Sequence, residues 1–155
     1  MTAVPVLVPV VVIANGLVAG VLLWSAVCGV PLLLMMPPDR YVRVHQFWGN
    51  RFEPFQPICV AVTGLVDLAL AIVLPTGAAR WLFGVAAVLA VSVTAVSLTR
   101  NVPLKRWVMS LSADALPADF AQRDPRRAWG AWNLVRTVLA LLGLVVNAAG
   151  VGALL

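Results

Sequence analysis

The chain has 155 residues, 62% of them hydrophobic and 11% charged, with a formal net charge of +5 and a mean hydropathy of +0.98. A soluble domain carries roughly 25% charged residues, so this chain has too little polar surface to face water on all sides. The composition excludes a soluble enzyme and points to an integral membrane protein. On a soluble chain a pI near 10.6 would suggest a nucleic-acid partner. Here the basic residues read instead as orientation signals in a bilayer, and no nucleic acid is expected. Cys28 and Cys59 sit in apolar runs without a C-x-x-C pair, which marks them as small core residues.

The first apolar stretch runs from about Val4 to Met36. At ~1.5 Å per residue it is too long for a ~30 Å hydrocarbon core. Pro5, Pro9 and Asn15-Gly16 are expected to shorten or bend it, leaving a main helix over 12–36 that stops at Pro37-Pro38. It lacks the positive start of a signal peptide and exceeds such a peptide in length, so it reads as retained. Segment 38–56 then forms an interfacial segment between the first two spans. The second span, 57–74, ends at Pro75-Thr76-Gly77, and the third covers 81–99. The turn between them is so short that they must be antiparallel neighbours. After segment 100–130 comes a fourth span, 131–155. Asp124-Pro125 opens it, with Asp as cap and Pro where a first turn tolerates it. No internal repeat stands out. The expected fold is all-α: a single transmembrane domain over 1–155, built as a four-helix bundle.

Charge sets the orientation. Ten of the eleven Lys and Arg residues fall within 38–56 and 100–136. Four spans place both segments on one side, which the positive-inside rule makes cytoplasmic. The expected location is the cell membrane, multi-pass, with both termini extracytoplasmic. Membrane lipid is then a partner by necessity, and a homo-oligomer is compatible with the pattern.

The same topology gathers the unusual side chains at one membrane face. Tyr41, His45, Trp48 and Phe52 follow helical spacing and share a face, with Asn50 and Arg51 close by. His45 is the only histidine. It either shares an interfacial aromatic belt or forms the acid–base group of an aromatic pocket, a role its near-neutral pKa suits. Arg126, Trp129, Asn133, Arg136 and Ala140 share a second face, with Trp132 beside them, and Asn101 and Lys105 lie on the same membrane side. An arginine inside a span is a functional candidate unless it snorkels to water. Asp67 falls near the middle of the second span. It reads as either a proton-handling group or a polar clip between helices. One histidine with scattered carboxylates makes no metal-ligand set, and no phosphate loop or Ser-His-Asp pattern is present.

Three stretches carry a resemblance. They are GVLLWSAVCGVPLLLMMPPDRYVRVHQ, RNVPLKRWVMSL and AWGAWNLVRTVLALLGL. In order along the chain they supply Val44-His45-Gln46 after the first span and Asn101-Val102-Pro103 after the third. Trp129, Asn133, Arg136 and Thr137 follow at the start of the fourth. From about Gly20 to Leu144 the chain resembles the small four-helix membrane proteins grouped with the anthrone oxygenases of aromatic polyketide pathways. Where that pattern often continues N-x-P-x-N, this chain has Lys105, so substrate contacts there are expected to differ.

The resemblance implies an oxygenase of natural-product biosynthesis that uses molecular oxygen as co-substrate, with no metal or other cofactor. Its substrate would be a lipophilic polyketide-type aromatic. His45, Arg136, Asn133 and Asn101 become the catalytic candidates: His45 as base, the others as holders of an oxyanion. Tyr41, Trp48, Asn50, Arg51, Trp129 and Trp132 become candidates for binding a flat polycycle. Two alternatives stay open. One is a membrane-bound cyclase or isomerase using the same acid–base groups without oxygen. The other is a non-enzymatic scaffold or small-molecule carrier.

Overall fold

A computed structural model describes residues 3–52 and 55–155, leaving out the side chains of Asn50 and Phe52. In chain order the helices are α1 (Val4–Trp24), α2 (Val30–Met35), α3 (Pro38–Phe52), α4 (Phe55–Val73), α5 (Ala78–Val96), α6 (Val102–Met109), α7 (Phe120–Arg123) and α8 (Arg126–Gly152). Turns of π-helix over Ser25–Gly29 and Ser97–Asn101 join α1 to α2 and α5 to α6. Four continuous stretches are long and apolar enough to cross a membrane: Val4–Met35, Phe55–Val73, Ala78–Met109 and Phe120–Gly152. The fold is the expected all-α bundle of four long apolar helices.

Several boundaries differ from the sequence reading, each for a local reason. The first helix starts at Val4 rather than near residue 12. Pro5 occupies the first turn, where its missing N–H is not needed, and Pro9 removes a single ladder bond without breaking the helix. The third helix does not stop near residue 99. It passes through the π-turn and runs on to Met109, which puts Asn101 and Lys105 on helix rather than loop. The fourth begins at Arg126, five residues before the expected 131. The cap position is taken by Pro125 rather than by Asp124 as expected, because the helix starts one residue later than Pro125; Asp124, just before it, still accepts the backbone N–H of Arg126 at 3.0 Å.

The spans close into a ring: α1 packs on α4, α4 on α5, α5 on α8 and α8 back on α1. The inward face of α8 consists of Gly130, Asn133, Thr137, Ala140, Gly143, Asn147 and Gly150. Facing it, α5 buries Ala79, Phe83, Ala86, Ala87, Ala90 and Val93. The large residues Leu134, Val138, Leu142 and Val145 point outward and are exposed. Small residues inside and large apolar ones outside suit lipid as solvent: helices there gain by close backbone approach and interhelical hydrogen bonds, not by hiding leucines. The approach is tightest at Gly130, where a Cβ would lie 2.7 Å from Val30 Cγ1.

Segment 38–52 is not a helix lying free at the interface. It caps one end of the bundle. Tyr41 and Val42 bury against Leu33, Val108 and Phe120. Gln46 Nε2 donates to the carbonyls of Val108 and Leu111 at 3.1 and 2.9 Å. Outside the cap, Arg43 pairs with Asp114. The Arg126 guanidinium ties the cap's base to α8: it donates to the carbonyls of Leu33 and Met36 at 3.0 and 2.6 Å while held by Asp124. Those carbonyls lie at the end of α2, where the helix's own N–H donors run out and only a long 3.4 Å bond from the Met36 N–H reaches Leu33.

Candidate functional site

Beneath the cap is a cavity of about 140 Å³. Its chemically active lining is His45, Trp48, Asn101, Trp129, Asn133 and Arg136, drawn from three separate stretches of the chain. Helical periodicity turns His45 and Trp48 of α3 toward the bundle, and it does the same for Trp129, Asn133 and Arg136 on α8.

Asn101 arrives differently. Pro103 has no N–H to donate, and its ring crowds the carbonyl four residues back. The helix accommodates this with a π-turn, in which the Val102 N–H reaches back five residues to the Ser97 carbonyl. Asn101, the last residue of that turn, is rotated inward and 4% exposed, while Arg100 is left outside. The Asn101 amide donates to the Trp129 carbonyl at 3.3 Å. Its Oδ1 is buried and has no partner.

His45 is 5% exposed and wedged between two rings. Its imidazole meets Tyr41 edge-on at 5.4 Å and Trp129 edge-on at 5.3 Å. Among the described residues its contacts are these rings, with no hydrogen bond to either ring nitrogen. Burial, assisted by the charge of Lys105, lowers its pKa to about 4. The imidazole is therefore neutral at cellular pH and able to accept a proton. Lys105 itself is anchored through Nζ to the Gly49 carbonyl at 3.1 Å. Gly49 permits that crossing, since a Cβ there would lie 2.9 Å from the lysine stem.

Arg136 is the cavity's half-buried cation. Nη2 donates to Asn133 Oδ1 at 2.7 Å and Nη1 donates to Ser97 Oγ at 3.1 Å, while Nε is buried without a partner. Among the described residues no carboxylate pairs with it. Asn133, 1% exposed, donates in turn to Ser25 Oγ at 3.2 Å. Arg136 is thus enclosed by the bundle and bonded within it, rather than snorkelling to water.

Not every expected residue reaches the cavity. Tyr41 lies behind His45, with its hydroxyl buried and unpartnered, and burial pushes its phenol pKa up. It supports the imidazole ring and does not face the space. Arg51 turns outward, its guanidinium 3.6 Å above the Phe47 ring. Trp132 lies on the flank of α8 under Arg100, 4.8 Å from ring centre to guanidinium. The side chain of Asn50 lies outside the described residues. Asp67 sits deeper in the bundle against Asn147, whose Nδ2 donates to Asp67 Oδ2 at 3.4 Å. Sequence reasoning missed Trp24, Ser25 and Gln56, which also line the cavity. Trp24 meets Trp48 edge-on at 5.5 Å and closes one side. No group of three or more His, Cys, Asp or Glu side chains gathers to hold a metal among the described residues.

The space therefore combines aromatic walls, a neutral imidazole, a guanidinium with unspent N–H groups, and an amide oxygen in need of a donor. No curated protein and no solved structure matches this chain. The family model described as anthrone oxygenase matches residues 46–146. The matched stretch holds Asn101, Trp129, Asn133 and Arg136 and starts one residue after His45. It covers well over half of the sequence, and the chain belongs to the anthrone oxygenase family.

Proposed function

We propose that the chain is a membrane oxygenase that converts a lipophilic, polyketide-type aromatic of the anthrone kind to its quinone with molecular oxygen, in natural-product biosynthesis. The observation that carries this reading is the pairing, across one aromatic cavity, of neutral His45 with the enclosed Arg136–Asn133 donors.

An anthrone carries an acidic C–H next to its aromatic rings and opposite a carbonyl. His45 accepts that proton, and the negative charge moves onto the carbonyl oxygen. The unspent N–H groups of Arg136 are donors for that oxyanion, in a site where such donors count for more than in water. Asn101 Oδ1 accepts a hydrogen from a phenolic hydroxyl on the same polycycle. The carbanion passes one electron to oxygen, and the radical pair collapses to a carbon–oxygen bond, giving a peroxide. His45 returns its proton to the peroxide and then takes the second hydrogen from that carbon as the O–O bond breaks. The departing hydroxide collects that proton from His45 and leaves as water. In sum, one anthrone and one O₂ give one quinone and one water, a balance that needs no metal and no flavin.

The cavity is about as large as the ~150 Å³ space that seats a benzene ring. It takes the reacting ring, and the rest of the polycycle lies against Trp24 and Trp48 at its edge. The basic residues cluster around this end of the bundle, which supports a cytoplasmic site with both termini outside. A substrate this apolar partitions into the bilayer, and an enzyme in the bilayer meets it there.

The test uses detergent-purified protein and an anthrone, under air and under argon, with quinone followed by absorbance. The expected result is formation in air well above the spontaneous rate, abolished under argon. Turnover under argon to a rearranged product would favour the cyclase or isomerase reading. No acceleration with any of several polycyclic phenols would leave a carrier or scaffold.

A further inference from the structure

Two heptapeptides of this chain match at their chemically distinctive positions. They are Ser25-Ala-Val-Cys-Gly-Val-Pro31 and Ser97-Leu-Thr-Arg-Asn-Val-Pro103. The match is too short to be an internal repeat, but the structure gives it a common geometry. Each serine is the first residue of a π-turn. In each, the valine N–H reaches back five residues to the serine carbonyl, just before the proline. The two parent helices run in the same direction at opposite corners of the ring, with α8 in contact with both. The serines consequently approach α8 from two sides at the level of Asn133 and Arg136.

The hydrogen bonds form one chain with a fixed polarity. The Ser97 hydroxyl spends its single hydrogen on the Val93 carbonyl at 2.7 Å, so it can only accept from Arg136 Nη1. On the other side Asn133 Nδ2 donates to Ser25 Oγ, which turns Asn133 Oδ1 toward Arg136 Nη2. Ser25 therefore sets which face of the Asn133 amide the guanidinium meets, although it does not touch Arg136. These bonds engage two of the five guanidinium N–H groups, one at Nη1 and one at Nη2, and leave the others, Nε among them, unspent inside the bundle.

We propose that Ser25 and Ser97 are a matched pair of positioning residues, which lock Arg136 so that the N–H groups it does not spend inside the bundle stay available to an anionic oxygen of a ligand in the cavity it lines. The proposal rests on the oxygenase reading for its reaction, but the anion clamp can be tested without it. Without Ser25 the amide of Asn133 is free to flip and present NH₂ to the guanidinium. Without the Ser97 hydroxyl Nη1 is left unsatisfied and competes for the ligand oxygen from the wrong place.

The variants are Ser97→Val, Ser97→Thr and Ser25→Ala. Each is compared with the parent in anthrone turnover and in binding of two flat probes, a hydroxyanthraquinone as its phenolate and unsubstituted anthracene, read by tryptophan fluorescence quenching. We expect Ser97→Val and Ser25→Ala to lose about tenfold in kcat and in phenolate affinity, the scale of one hydrogen bond to a charged group. KM and anthracene affinity should stay near the parent's, and Ser97→Thr should keep the parent rate because it keeps the hydroxyl. The proposal is overturned if Ser97→Val matches the parent, if Ser97→Thr fails as badly as Ser97→Val, or if both probes weaken together. A parent that binds phenolate no more tightly than anthracene overturns it too. If the parent oxidises no anthrone yet shows the predicted binding pattern, the clamp stands and the oxygenase reading falls.

Discussion

Two buried polar clusters occupy the same bundle, and they are built to different ends. Near the first turns of α8, Arg136, Asn133, Ser25 and Ser97 form a bonded chain beside an aromatic cavity, and it leaves guanidinium N–H groups unspent. Further along the same helix, Asn147 meets Asp67, both of them 0% exposed and neither lining the cavity. Eleven residues separate Arg136 from Asn147, about 16 Å along a helix. Polarity inside a membrane bundle does not distinguish function from fastening. The first cluster has space beside it and donors on Arg136 that its internal bonds do not use. The second closes on itself, and its two unmet atoms, the Oδ1 oxygens of Asp67 and Asn147, are both acceptors lacking one shared hydrogen. We read the second as a clip between α4 and α8.

That contrast breaks if substitutions in the two clusters have similar consequences. The largest expected loss is at His45. Removing a general base costs about 10²–10⁴ in rate, so His45→Ala should fall to near the spontaneous rate while keeping the helical far-UV signal of the parent. Arg136→Met should cost about 10²–10³, as for an oxyanion donor, measured as kcat with the same anthrone. Next comes packing. Gly130→Ala drives a methyl against Val30 and should destabilise by about 1–3 kcal/mol, seen as a lower thermal midpoint in detergent.

The pH profile sharpens the same comparison. His45 works in its neutral form, and its pKa is lowered to about 4. kcat/KM should stay flat as pH drops through 6.5, where an ordinary histidine titrates, and fall only on approaching pH 4. An acid limb centred near pH 6.5 would mean that the imidazole doing the work is not buried. The smallest effects belong to the clip and the outward residues. Asp67→Asn supplies the missing hydrogen as an N–H and should leave turnover unchanged, with a thermal midpoint equal to or above the parent's. Arg51→Ala and Trp132→Phe should leave kcat unaltered.

Much of this was legible in the chain. The four apolar stretches, the clustering of basic residues and the short turn before α5 prescribe the bundle, and a 3.6-residue period puts His45 with Trp48 and Asn133 with Arg136. Other parts were hidden by rules that hold on average. The third span was expected to end at residue 99, but a π-turn lets the helix absorb Pro103 and carry Asn101 inward. Arg51 was grouped with His45 by proximity, although six residues along a helix lands nearly on the opposite side. Trp132 follows Trp129 by three residues, yet the face that α8 buries is set by its glycines, and Trp132 falls beside it. Ser25 and Ser97 were readable only as a pair, through the shared valine and proline that follow each at the same distance. The Arg126 tie to the Leu33 and Met36 carbonyls joins residues some ninety positions apart and has no local signature.

The central claim is that His45 and the Arg136 donors act on one substrate in the cavity beneath the cap. Oxygen uptake by the parent and by His45→Ala, with the same anthrone in the same detergent, tests it most directly. The account predicts rapid uptake by the parent, one O₂ per quinone formed, and uptake no faster than the spontaneous reaction with His45→Ala. Equal, accelerated uptake by both proteins would contradict it.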